Sequence, residues 1–155
     1  MSKRKQGGGR TSEADFDFFY EEVWHWITGL DLHNWEVLVV HQDYPGGGTF
    51  AWYTADNNSR QATIGLSVRF VSQIDRRRIS YAAFHEVIHI LLSPILFASS
   101  VLEHVYPCGY KEEVRVAVHE IIHRLSGVLW EPHWKEIEQW RMDSEVAAEV
   151  AGKGV

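Results

Sequence analysis

The chain has 155 residues, 45% hydrophobic and 23% charged, with seven tryptophans, one cysteine and a formal charge of −6. That length fits one domain with a sizeable core. The acidic balance speaks against a duplex nucleic-acid binder, which needs a basic face, and the lone Cys108 speaks against an internal disulfide framework.

The start, MSKRKQGGGR, is basic but lacks the apolar stretch of a signal peptide. Residues 1–11 read as a disordered basic tail and 12–151 as a single domain. From Ser12 to about Thr28, Phe16, Phe19, Tyr20, Val23, Trp24 and Ile27 recur at helical spacing, with Ser12 as N-cap and Gly29 as stop. Then come WEVLVVHQD (35–43), a PGGG turn, TFAWYT (49–54), the polar ADNNSR and QATIGLSVRF (61–70). These predict three antiparallel strands in a meander. Arg76, Arg77 and Arg78 read as a solvated approach to a helix over about Ser80 to Leu92, which Ser93-Pro94 should end. A linker to Tyr110, a helix over Glu112 to Leu125 closed by Ser126-Gly127, and a last helix from Pro132 to about Glu149 complete the chain. The fold class is α+β, a small antiparallel sheet with helices mainly on one face. No run approaches the ~20 apolar residues of a membrane span, so the expected setting is cytoplasmic, without membrane or nucleic acid as partner.

Two segments share one ligand pattern: HEVIH at 85–89 and HEIIH at 119–123. Two histidines at i and i+4 lie one helical turn apart and can reach one zinc ion. The glutamate after the first histidine stands beside the ion as a general base. A helical projection separates the copies. In the first, His85, Glu86 and His89 form the sole polar stripe of a helix otherwise apolar all round, which is a buried helix. In the second, Val114, Ala117, Val118, Ile121, Ile122 and Leu125 make an apolar face, with His119, Glu120 and His123 opposite it. The first copy is therefore expected to carry one zinc ion on His85 and His89, with Glu86 as base. The second is expected to face solvent and, with Glu112, to form at most a weak surface site.

Catalytic zinc takes a third protein ligand and keeps a position open. The metzincin spacing is absent, because Leu92 and Ile95 stand where glycine and histidine would be needed. Glu113, bordering the apolar face of the next helix, is the favoured third ligand and Glu112 the alternative, with His104 and Cys108 weaker candidates. Tyr81, Tyr106, Tyr110 and His104 are unranked candidates for stabilising an oxyanion.

The short N-terminal helix, the small meander, HEVIH-ILL and the EEV helix start together resemble the small zinc metallopeptidases encoded by bacteriophages and prophages. The resemblance covers roughly residues 15–127 and departs from the larger gluzincins at Ala117, where an acidic residue would stand. It implies a minimal zincin-like, gluzincin-like fold, with zinc on His85, His89 and Glu113 or Glu112. It also implies hydrolysis of a peptide or protein substrate by water that Glu86 deprotonates. In such folds the strand before the metal-binding helix, here TIGLSV (63–68), often lies at the sheet edge and pairs with substrate. The competing expectation is a non-catalytic zinc-binding interaction protein. The intact Glu86 argues against it, because a structural site needs no base.

Overall fold

The computed structural model describes residues 9–70, 74–106 and 109–152, and Cys108 lies outside them. Of the expected tail, residues 1–8 also lie outside, but structure begins ahead of Ser12. β1 (Gly9–Arg10) pairs antiparallel with the short β5 (Arg69–Phe70), and the buried Thr11 hydroxyl donates to the Ser67 carbonyl at 2.7 Å.

α1 (Glu13–Gly29) starts where the sequence places it. Ser12 Oγ accepts from the Asp15 N–H and the Asp15 carboxylate accepts from the Ser12 N–H, a capping box. Its Phe19, Val23, Trp26 and Ile27 are buried.

The three strands fall close to their expected places, as β2 (Glu36–His41), β3 (Ala51–Asp56) and β4 (Gln61–Leu66), but they are not a meander. The order is β2-β4-β3: β4 is central, antiparallel to β3 and parallel to β2. Two adjacent antiparallel strands need only a tight turn. The connection 42–50, with Gly47 and Gly48 at positive φ, is long enough to carry the chain across β4 instead. Gly65 is fixed by the same packing, since a Cβ there would stand 2.1 Å from the Trp52 ring on β3.

α2 (Arg76–Val105) is the central helix, 30 residues long and capped by Asp75, whose side chain accepts from the Arg78 N–H. Its opening arginines are not simply solvated. Arg76, Arg77 and Arg78 lie over the rings of Phe18, Trp130 and Phe50, and Arg77 pairs with Glu131 at 3.0 Å. The helix does not end at Pro94. Proline supplies no N–H for the Ile90 carbonyl four residues back, but Ser93 Oγ lies 2.9 Å from that oxygen and takes its place. The expected linker up to residue 105 is thus helix. The longer helix is, by length and composition, apolar enough to cross a membrane, with a mean hydropathy of 1.5 over its best window, contrary to the sequence expectation. A core helix passes the same test. In this fold Ile79, Ala83, Phe84, Val87, Ile88 and Ile90 are fully buried in the core shared with α1 and the sheet.

α3 (Tyr110–Leu125) does not stop at Gly127. A π-helical turn (Ser126–Trp130) runs on into α4 (Glu131–Gly152). The described residues are thus mixed α+β, with four helices and a small three-stranded mixed sheet.

Candidate metal centre

The first motif copy lies where a buried stripe should. His89 and Glu86 are buried and His85 half-buried, between Ala82, Ala83, Phe84, Val87, Ile88 and Ile90, all buried. His85 Nε2 and His89 Nε2 are 3.1 Å apart. Nitrogens sharing a tetrahedral zinc stand about 3.3 Å apart, given bonds of about 2.0–2.1 Å.

The third member of the cluster comes from the second copy. A ligand atom each from His85, His89 and His119 lie within 4.8 Å of one another, and no other described His, Cys, Asp or Glu joins them. His119 Nδ1 is 2.8 Å from the Arg115 carbonyl. Donation from Nδ1 places the proton there and leaves Nε2 with its lone pair, the tautomer a metal ligand needs.

The two glutamates expected as third ligand are placed elsewhere. Glu112 is exposed and holds Arg115 at 2.6 and 2.8 Å. Glu113 is exposed on another side of α3, in a shallow depression with Val116, Ala117 and Glu120. The reason is the rotation of the helix. Only Val118 and Ile122 are buried, flanked by half-buried Val114 and Leu125, while Ala117 and Ile121 of the supposed apolar face are exposed. Glu113 and His119 stand about 120° apart around the axis, so they cannot both face the α2 histidines. His119 and His123 are both exposed, as expected, yet His119 still reaches the two histidines of α2.

β3 supplies a residue that sequence reasoning passed over. Tyr53 lies flat on His89, with centroids 4.6 Å apart and planes at 7°. Tyr53, His89, Leu96, Val118 and His119 line a groove of about 400 Å³ between β3, α2 and α3. The edge strand beside this groove is β3, whereas TIGLSV forms the central strand and its continuation. Tyr81 lies at the other flank, 5.9 Å from the His85 ring. His104, Tyr106 and Tyr110 are exposed towards the far end of α2 and the start of α3.

Burial governs the electrostatics. It pushes the Glu86 carboxyl up to about 8. It lowers His89 to about 3, with His85 and His119 adding to the effect, and it lowers His85, with His119 adding again. Burial also raises the Tyr53 phenol, helped by the charge of Glu86. All four shifts disfavour charge in a pocket with no compensating partner among the described residues. The buried Nδ1 atoms of His85 and His89 have no hydrogen-bond partner among the described residues. Three converging imidazoles, with the Nε2 atoms of His85 and His89 facing each other, and a buried carboxylate fit a divalent cation that prefers nitrogen ligands.

Comparison with protein-family models, with curated proteins and with solved structures finds no match to this chain.

Proposed function

We propose that the chain is a zinc-dependent hydrolase of the minimal zincin type that cleaves peptide bonds, with one zinc ion on His85, His89 and His119 and Glu86 as general base. The observation that carries this reading is the convergence of three imidazoles, two of which (His89 and His119) line an open groove, with a buried carboxylate one residue along from His85 on the same helix. Three ligands leave a coordination position free, as in catalytic zinc and unlike the closed four-ligand structural site. Zinc, when bound, acidifies water and polarises a carbonyl.

The chain's own residues would do the rest. Glu86, which burial alone would keep protonated near neutrality, would ionise beside the bound cation, accept the proton that the attacking water loses and return it to the departing amine. The Arg115 carbonyl fixes the His119 tautomer. Tyr53 covers one face of His89 and holds its plane. The peptide substrate is supported by β3, an edge strand beside the groove, since an extended chain can pair with such an edge. The likeness to phage and prophage metallopeptidases and a cytoplasmic setting belong to the same proposal.

The test is Glu86→Gln in zinc-loaded protein. We expect one zinc per chain to remain while hydrolysis of an unstructured protein substrate falls about 10²–10⁴-fold. Cleavage at the wild-type rate by this variant would remove Glu86 from the mechanism. A wild-type protein that holds zinc but cleaves nothing would instead be a zinc-binding interaction protein.

A further inference from the structure

The wall of the groove that leads away from His119 is cationic. Lys111, Arg115 and His119 stand at i, i+4 and i+8 on α3, so they form a single row, and all three line the groove. Among the described residues no acidic side chain lines it, although Asp and Glu outnumber Lys and Arg by 21 to 15 in the chain. Arg115 is already matched by the two hydrogen bonds to Glu112. Lys111 has no ion pair among the described residues. Its backbone N–H, not its ammonium, donates to Glu103 Oε2 at 3.3 Å. Lys111 therefore presents an uncompensated charge to the groove, and its field attracts anions there.

Resting on the hydrolase reading, we infer that this row is a carboxylate subsite, with Lys111 as principal partner, which selects substrates bearing a negative charge close to the cleaved bond. The helix sets the distance. Arg115 and Lys111 lie about 6 and 12 Å from His119 along the axis. An extended peptide covers that in about two to four residues. The carboxylate is therefore an Asp or Glu side chain, or the free C-terminus, within about four residues of the scissile bond.

Two readouts test this, one of them independent of turnover. Suberic acid monohydroxamate carries a zinc-binding head and a carboxylate on a chain long enough to reach towards Lys111, and its methyl ester lacks the charge. Zinc-loaded wild type should bind the acid about tenfold more tightly, the worth of one charge-assisted hydrogen bond. Lys111→Gln should bring the ratio of the two close to one, and Lys111→Arg should restore it. Equal affinities in wild type, or a ratio untouched by Lys111→Gln, overturn the subsite.

Three matched peptides then identify the source of the charge: neutral and amidated, amidated with one Glu near the cleaved bond, and neutral with a free C-terminus. Preference in kcat/KM for the second identifies a side chain, and for the third the terminus. Peptides left uncut while the hydroxamate preference holds would overturn the peptidase reading and leave the subsite standing. Cleavage without charge preference, together with equal hydroxamate affinities, would do the reverse. A protein that takes up no zinc overturns both.

Discussion

Two polar clusters lie against α2, and they are built on opposite terms. The first joins α1, α2 and α4 through Glu22, Ser80, Trp130 and His133. Glu22 Oε2 accepts from Ser80 Oγ at 2.5 Å, both of its oxygens lie within 3.2 Å of His133 Nε2, and Ser80 Oγ accepts from Trp130 Nε1 at 3.0 Å. Here the protein supplies the partners itself. The second cluster, little more than a turn further along α2, holds His85, Glu86 and His89 against His119. Two of its ring nitrogens face each other, two more have no partner, and its carboxylate has no cation beside it among the described residues. Burying polar atoms is costly unless they are paired. A fold that pairs one set and leaves the other open draws cohesion from the first, and leaves the second with three histidines close enough to hold a metal ion.

The largest effect that would sharpen this contrast is in metal content. His85→Ala and His89→Ala should each abolish zinc retention through gel filtration, and His119→Ala should weaken it strongly. Glu113→Gln and His123→Ala should retain one zinc per chain. Saturating zinc should also stabilise the wild type by about 4 kcal/mol at a thousandfold excess over Kd, and His89→Ala should lose that gain in thermal melts. Zinc lost in Glu113→Gln but kept in His119→Ala would restore the ligand expected from sequence and break the cluster as described.

The satisfied cluster should respond in the opposite currency. Glu22→Ala strands the Ser80 hydroxyl and the His133 ring in a largely buried site, at a cost of about 2–4 kcal/mol. Its urea midpoint should fall accordingly while zinc per chain stays at one. Gly65→Ala makes a second, packing-based control. Its Cβ would meet the Trp52 ring, so it too should lower the midpoint, by about 1–3 kcal/mol for overpacking, and leave zinc uptake alone. Loss of zinc in either variant would mean that the two clusters are not separate devices.

How much of this was legible in the sequence follows from which forces act locally. The α1 cap, the strand positions and the buried stripe of His85, Glu86 and His89 are written in short-range pattern, and each falls where that pattern puts it. The parallel pairing of β2 with β4 and the continuation of α2 through Pro94 are not local. One depends on how a glycine-bearing connection crosses the sheet, the other on a hydroxyl covering one carbonyl. His119 was hidden for a related reason. The projection treated the whole face of Val114, Ala117, Val118, Ile121, Ile122 and Leu125 as apolar packing surface, yet α3 packs on a stripe narrow enough to leave Ala117 and Ile121 outside. A signal was present in the row Lys111, Arg115, His119, whose spacing marks one face of a helix, but only the packing tells which face is used. The Glu22–His133 contact spans 111 residues, and no pattern of spacing announces it.

The smallest expected effect is on the pH dependence of the metal-free protein, where the unsatisfied cluster should betray itself on both sides of neutrality. Glu86 is held up to about 8 from its ordinary 4.5. Between those values the folded chain keeps a proton that the unfolded chain has released, so stability falls as pH rises through that window. His89 is held down to about 3 from 6.5. Between those values the unfolded chain takes up a proton that the folded one refuses, so stability falls as pH drops from about 6.5. Glu86→Gln should therefore gain on wild type between pH 5 and 8, by about 1–3 kcal/mol at the upper end. His89→Ala should flatten the acidic limb and leave the alkaline one. Urea midpoints of the chelator-treated proteins across pH 4 to 8 would measure both slopes. Curves that run parallel to wild type throughout would mean that neither group resists charging, and with that the contrast between the two clusters would lose its electrostatic basis.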